Sequence, residues 1–421
     1  MPIIMNNIVI IYSFSKIPDL FMPNRTKIKQ VYGTAFFINT SGSLLTCYDN
    51  VKYSVYVSVL IDGITYNADI VSICPEKNLA LLNINKYKSN PLPMGDPNIY
   101  HETLTLYGYS SETKTIDCFS FRPMVINSHF FALSSSYLKK GGPVVDCTGR
   151  VVGINVGSTN VDNINKYKII KISHFICLVN EFTRKKIIQC PKLYFKFNVV
   201  DNDYLFVQNI FDFSPFYKIG LRSGHKIIKF NNMNINKNNI NDIIDTMNVN
   251  DNIYIEYIDN NNKIKKKVNL NNNYQLPLKY INFPFENIVY EVIGGLIFTE
   301  LSINHLQKIS RINFINQTEK NILEKFKKTK NRQKSVLFIS FVYEPNKFTI
   351  NPGTVINSIN SKNVNTINDL KQEFCCNEIH TIETTNKIIN IDLKKCYLID
   401  IELSTTHNYD ISSIYKNKTF L

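Results

Sequence analysis

The stretch Leu138-Lys139-Lys140-Gly141-Gly142-Pro143 decides how this chain is read. It opens a longer block, KKGGPVVDCTGRVVGINVGS over Lys139–Ser158. In it Gly-Gly-Pro precedes an apolar run, a glycine turn at Gly149 and a second apolar run, which reads as strand, turn, strand. Lys140 ends in a flexible ammonium that ordinarily stays protonated. Working outward, residues from about 7 to 188 alternate short β-like runs with turns, the pattern of an all-β barrel protein. Asn7 to Ser13 reads as a first strand, and HFICLVNEFTRKK from His174 as a helical closing segment.

Three blocks of this region resemble the HtrA/Deg family of trypsin-like serine proteases, in the order that fold requires. Gly33-Thr34-Ala35-Phe36-Phe37-Ile38-Asn39 running into Gly42–Val51 is similar to the hairpin that ends in Leu-Thr-Asn-Ala-His-Val-Val. Leu45 and Thr46 match that run, and Asp49 falls on the histidine. NADIVSICPEKNLALLNI, Asn67 to Ile84, resembles the strand–turn–strand carrying Asp-Leu-Ala-Leu-Leu; Leu79 to Leu82 match and Asn78 falls on the aspartate. The opening block resembles Gly-Asn-Ser-Gly-Gly-Pro, a strand, a turn and Val-Gly-Ile-Asn. Gly141, Gly142, Pro143, Gly149, Val152, Gly153, Ile154 and Asn155 fit, and Lys140 takes the serine's place.

The resemblance therefore implies a trypsin-like double β-barrel whose three triad positions, Asp49, Asn78 and Lys140, are all substituted. A serine attacks a carbonyl only when an imidazole removes its proton, and no such pair is present at these positions. The family's oxyanion hole, built from backbone N–H groups around the nucleophile, has a glycine two residues before it. Leu138 stands there. Ser134 to Ser136 lie four or more residues upstream of Lys140, too far for a Ser-Lys dyad at that position. His101, His129 and His174 fall in the barrel region but in none of the three blocks. Asp49 and Lys140 carry opposite charge where the family's histidine and serine meet. Either the two draw together as a close ion pair, or Lys140 points into solvent.

After Cys190-Pro191, the run YLFVQNIFDFSPFYKIGLRSGHKIIKFNNMNI (Tyr204 to Ile235) resembles an HtrA/Deg-type PDZ domain. Gly220, Leu221, Arg222, Gly224, His225 and Ile227 stand in its Gly-Leu-Arg-x-Gly-Asp-x-Ile pattern, and Asn231-Asn232 at its turn. A helix is expected near Ile240 to Met247, with strands at Asn252 to Ile258 and Lys265 to Leu270. From Tyr280 the sequence resembles the divergent second PDZ-like domain of plant-type intracellular Deg proteases. The features are Gly294-Gly295-Leu296-Ile297-Phe298, a helical insertion around Asn316 to Lys328, and a helix at Ile367 to Phe374. The resulting fold class is mainly β: a double barrel over 1–188, a PDZ domain over 191–275 and a second, PDZ-like α+β domain over 280–421. PDZ domains add a peptide strand to a sheet edge and hold its carboxylate on backbone amides. By resemblance that loop falls near Pro191 to Phe197, so Lys192, Leu193, Tyr194 and Phe195 are the candidate peptide-binding residues. The loop lacks the glycine that lets amides converge.

At 421 residues, 44% of them hydrophobic, the chain is globular with room for about two to four domains. No apolar run approaches the roughly 18 residues that span a bilayer. The stretch Met1 to Tyr12 lacks a basic leader and a small-residue cleavage site, so the chain reads as intracellular, cytoplasmic or nuclear. Nine scattered cysteines show no zinc spacing and read as reduced thiols; no metal and no cofactor is expected. A net charge of +14 favours acidic partners. The lysines are dispersed, however, and the clusters Lys263–Lys267 and Lys325–Lys334 read as solvated faces.

Three functions follow. The leading one is a catalytically inactive Deg-like scaffold that binds peptides or proteins, and by resemblance forms a trimer-based homo-oligomer. The second is an active serine-type endopeptidase with a rebuilt site. The third is a basic nucleic-acid-associated protein.

Overall fold

Strands that bury one face show a period of two, and the first third of the chain uses it to wrap a barrel. The computed structural model describes all residues except 1, 97–101, 127–128, 163, 201–203, 237–238, 250, 271–275, 346, 348–349, 375–377 and 417–421. His101, Cys375 and Cys376 lie outside the described residues, as does the side chain of His129. Six strands, β1 (Ile8–Pro18), β2 (Thr26–Phe37), β3 (Ser43–Cys47), β4 (Ser54–Ile61), β5 (Ile64–Cys74) and β6 (Leu79–Asn83), close in the order β1-β2-β3-β6-β5-β4. Register puts Phe36 opposite Leu45 and Leu45 opposite Leu81, and all three rings or side chains are buried.

The second barrel-like layer is a seven-stranded antiparallel sheet. It uses β7 (Leu104–Tyr109), β8 (Ile116–Phe121), β9 (Met124–Ile126), β10 (His129–Ser134), β11 (Pro143–Val145), β12 (Val151–Val161) and β13 (Ile164–Lys171), ordered β8-β7-β11-β12-β13-β10-β9. The first sheet closes on itself, and the second is a barrel-like sheet with β8 and β9 at its two ends among the described residues. Two short helices, Ser173–Ile176 and Val179–Phe182, follow β13 as the closing segment, with Phe175 and Phe182 in the core between the sheets.

A third sheet comprises β14 (Phe195–Val200), β15 (Tyr204–Ile210), β16 (Lys226–Phe230), β17 (Met233–Asn234), β18 (Asn252–Asp259) and β19 (Asn262–Asn269). Ile253, Ile255 and Tyr257 of β18 point inward at alternate positions. The β18–β19 hairpin turns on Asn260 and Asn261, both at positive φ, which asparagine tolerates better than most residues. The lysines of Lys263–Lys267 lie on this hairpin. The helix Ile240–Asp245 fastens the third sheet to the preceding region. Lys171 Nζ meets Asp242 at 2.7 Å, His174 lies 3.8 Å from Asp245, Lys77 Nζ donates to the Asp245 carbonyl, and Asn248 Nδ2 donates to the Cys177 carbonyl. Residues 1–15 and 29–274 form one compact unit.

The second unit contains residues 16–28 and 275–421. It has a three-stranded sheet of β20 (Tyr290–Ile293), β21 (Leu296–Glu300) and β22 (Leu337–Val342), ordered β20-β21-β22. Its four-stranded sheet uses β23 (Ile356–Ile359), β24 (Lys362–Asn363), β25 (Ile379–Thr384) and β26 (Ile388–Asp392), ordered β24-β23-β25-β26. Helices include Gln317–Glu324, Ile367–Phe374 and Leu393–His407. Among the described residues no helix is long and apolar enough to cross a membrane.

Residues 16–28 enter the core of this unit. Phe21 packs edge-on against His305, Phe314 and Phe338, its carbonyl accepts from Ser340 Oγ at 2.7 Å, and the Leu20 carbonyl lies 2.7 Å from His305 Nε2. His305 is wholly buried, and burial holds its imidazole down to about 4. Ser302 N–H donates to Nδ1, which leaves Nε2–H to donate to Leu20. Because the folded value lies below the ordinary 6.5, the unfolded chain binds this proton first. The second unit should therefore hold its full stability above about pH 6.5 and lose roughly 3 kcal/mol of it by pH 4 through this group. Urea unfolding followed between pH 7 and 4 measures the slope, and His305→Gln should flatten it.

Candidate functional site

Where the first barrel meets the seven-stranded sheet, the chain approaches itself closely enough to dictate two glycines. Gly141 has φ +98°, and a Cβ there would stand 2.1 Å from the Thr34 carbonyl oxygen. A Cβ on Gly142 would meet the Tyr107 carbonyl oxygen at 1.8 Å. Backbone bonds lock the turn: Thr34 N–H donates to Lys140 O, Gly141 N–H to Asn155 O and Asn155 N–H to Gly142 O. Asn50 Nδ2 adds a bond to Lys140 O at 3.0 Å and another to Thr46 Oγ1 at 3.0 Å.

On this frame Asp49, Asn78 and Lys140 come together. Asp49 sits in the 3₁₀ turn Tyr48–Asn50 that ends β3. Its N–H donates to Asn78 Oδ1 at 2.9 Å, and Asn78 Nδ2 returns a bond to Asp49 Oδ2 at 3.2 Å. Asn78 holds a left-handed conformation, φ +52°, at the mouth of β6, which its short amide side chain tolerates. Lys140 Nζ lies 3.0 Å from Asp49 Oδ2. The ion pair forms, and the ammonium does not turn into solvent alone. The two side chains are 33% and 45% exposed, so their attraction is screened by water.

Leu138 is buried among Leu106, Val144 and Tyr167. Its N–H donates to Tyr167 Oη at 2.8 Å, and that hydroxyl donates to Ser136 O. The neighbouring Lys139 N–H donates to Tyr109 O at 2.8 Å. Both amides are turned into the protein, so neither is available to stabilise an oxyanion.

Two residues at this place had no cue in the spacing. Cys47, two positions before Asp49, is wholly buried and its thiol donates to Asn155 O at 3.1 Å. Burial pushes this thiol far up, Asp49 adds to the shift and Lys140 opposes it. A thiol so held stays protonated and is a poor nucleophile. Lys52 is lowered by burial; Asp49 opposes that and Lys140 adds to it, with Nζ 5.2 Å from the Tyr53 ring centroid. Among the described histidine side chains, His174 lies beside Asp245, His225 stacks on Tyr257, His305 bonds Leu20, His380 lies beside Asn360 and His407 stacks on Tyr343. Among the described residues no cluster of three or more His, Cys, Asp or Glu has metal-binding geometry.

The candidate peptide loop runs into β14, the end strand of its sheet. Lys192 pairs with Glu76, and the Leu193 carbonyl accepts from Ser214 Oγ at 2.7 Å. Tyr194 has φ +54° and its carbonyl accepts from Phe211 N–H; Phe195 is buried edge-on to Phe216. A tyrosine, not a glycine, takes the left-handed conformation in this loop.

Asp49→Ala and Lys140→Ala should each cost little, and a double-mutant cycle should return a coupling of about 0.2–1 kcal/mol. Denaturant unfolding of the four proteins measures it, and coupling should shrink with added salt.

Residues 33–154 match the trypsin-like peptidase domain. No curated protein sequence matches the chain. Among solved structures, the HtrA-type protease AlgW with a tripeptide is 16% identical, with a TM-score of 0.52 over 63% of this chain and 94% of that one. The same protease with a decapeptide is 15% identical, with a TM-score of 0.50 over 63% and 95%. The chain contains a trypsin-like peptidase domain and has the fold of the HtrA-type proteases.

Proposed function

We propose that this protein is a catalytically inactive HtrA-like homologue that binds peptide or protein partners instead of cleaving them. The observation that carries the reading is the Asp49–Lys140 ion pair, with Asn78 bonded behind it. It lies where the resemblance places histidine, serine and aspartate. An ion-paired ammonium has no lone pair with which to attack a carbonyl, and a carboxylate is a weak base near pH 7. The engagement of the Leu138 and Lys139 amides and the protonated Cys47 thiol support the same conclusion.

Peptide binding rests on the region 191–275, read as a PDZ domain. β14 stands at the end of its sheet, with no strand on its other side among the described residues. Such an edge accepts an added strand. Structures of AlgW with a tripeptide and a decapeptide support the analogy. The region 280–421 is read as a second, PDZ-like domain, and a trimer-based homo-oligomer follows from the family resemblance.

Purified protein should release no fragments from casein or a fluorogenic peptide above background. Lys140→Ser should remain equally inactive, since Asp49 cannot take the hydroxyl proton as an imidazole does. Wild-type hydrolysis that vanishes when Ser134, Ser135 or Ser136 is changed to alanine would defeat the proposal.

A further inference from the structure

In the second unit a carboxylate lies fully buried, held by four neutral hydrogen-bond donors. Asp400, in the middle of the Leu393–His407 helix, has no solvent exposure. Its Oδ2 accepts from Gly294 N–H at 2.7 Å and from Tyr415 Oη at 2.7 Å. Its Oδ1 accepts from Gly295 N–H at 2.8 Å and from Tyr409 Oη at 2.9 Å. All four partners donate. Gly294 and Gly295 N–H can only donate, one to each carboxylate oxygen, so the cage favours the anion.

Gly294 and Gly295 form the two-residue turn between β20 and β21, with Ile293 opposite Leu296. Their φ values, +61° and +77°, point both N–H groups to the same side of the turn. Consecutive amides converging in this way make a concave anion site. A Cβ on Gly295 would stand 2.7 Å from Leu403 Cδ1, so the helix that carries Asp400 packs directly on the turn. Burial raises the Asp400 carboxyl above the ordinary range, against the pull of its four hydrogen bonds, and both phenols are pushed up in turn. Tyr409 and Tyr415 therefore remain donors.

The strand that leaves this turn has no open edge. β21 carries β20 on one side and β22 on the other. β20 runs antiparallel to β21 with its C-terminal end at the Gly294–Gly295 amides. A bound C-terminal peptide would present that same direction and would end in the same place. We infer that the Gly294–Gly295 turn is a carboxylate-binding site whose ligand is supplied by the chain itself, the side chain of Asp400, with β20 filling the strand position beside it. The Gly294–Gly295 turn is thereby closed to an incoming carboxylate. The assignment stands on the cage and the strand pairing, so it survives or fails independently of the inactive-protease reading.

The test uses the full chain and formate as the probe, because formate is a carboxylate small enough for the space an alanine leaves. Asp400→Ala should lower the thermal midpoint of the second unit by several degrees. Sodium formate at about 0.1 M should recover part of that loss, sodium chloride at equal concentration should not, and wild type should respond to neither. If Asp400→Ala does not fold on expression, its refolding yield is compared in the two salts: a higher yield in formate supports the inference and equal yields overturn it. Asp400→Asn, which fills the same space without the charge, should lose several degrees with no recovery in formate. An Asp400→Ala midpoint equal to wild type, a loss that formate does not relieve more than chloride, or an Asp400→Asn midpoint equal to wild type each overturns it.

Discussion

The first unit depends on one close approach, the backbone of Lys140–Gly142 laid against Thr34, Tyr107 and Asn155. Oxygens 2.1 and 1.8 Å from the places of two Cβ atoms leave room for glycine alone. The bonds that hold the turn run through main-chain groups of residues 140, 141 and 142. None involves the side chain of residue 140. The fold therefore constrains the glycines tightly and leaves the preceding side chain free to change. A frame that carries lysine just before these two glycines needs no other explanation for its intact geometry.

The charges at that place are arranged for mutual satisfaction. Asp49 accepts from Lys140 and from Asn78, and Asn78 also reaches the Val156 carbonyl. Each of these bonds is partly exposed, and exposed pairs contribute about 0.2–1 kcal/mol. The cost of breaking the arrangement is small beside that of filling either glycine. Stability in this region thus comes from apolar burial and the main-chain lock, with the ion pair settling which way Lys140 points. Close to it, burial keeps the Cys47 thiol protonated and lowers Lys52.

The blocks that were legible in the sequence are those whose meaning is local. Leu79-Ala80-Leu81-Leu82 became β6, the run at Ile367 to Phe374 became a helix with those bounds, and Asp49, Asn78 and Lys140 met because strand order fixed their places. Contacts between distant segments were not legible. Leu20 and His305 bond across 285 positions, and no periodicity in either segment announces the other. Leu138 was legible as an obstacle to an oxyanion hole, but the capture of its N–H by Tyr167 was not, since a hydroxyl's partner depends on packing. Asp400 is the clearest case. An aspartate in a helix interior reads as a solvated position, and only the tertiary fold shows four donors converging on it.

The third sheet and the β20–β21 turn of the second unit meet a common physical problem differently. A strand at a sheet edge leaves amides and carbonyls without partners, and turns that aim N–H groups at one point demand an anion. In the second unit β20 pairs along one side of β21 and Asp400 fills the amide turn in cis. In the first unit β14 stays at the end of its sheet, and its leading loop turns on Tyr194 instead of a glycine pair. Glycine content alone would favour the Gly294-Gly295 turn as a carboxylate loop. The hydrogen bonds reverse that choice, since a site already saturated by a buried carboxylate has no remaining donor for a second one.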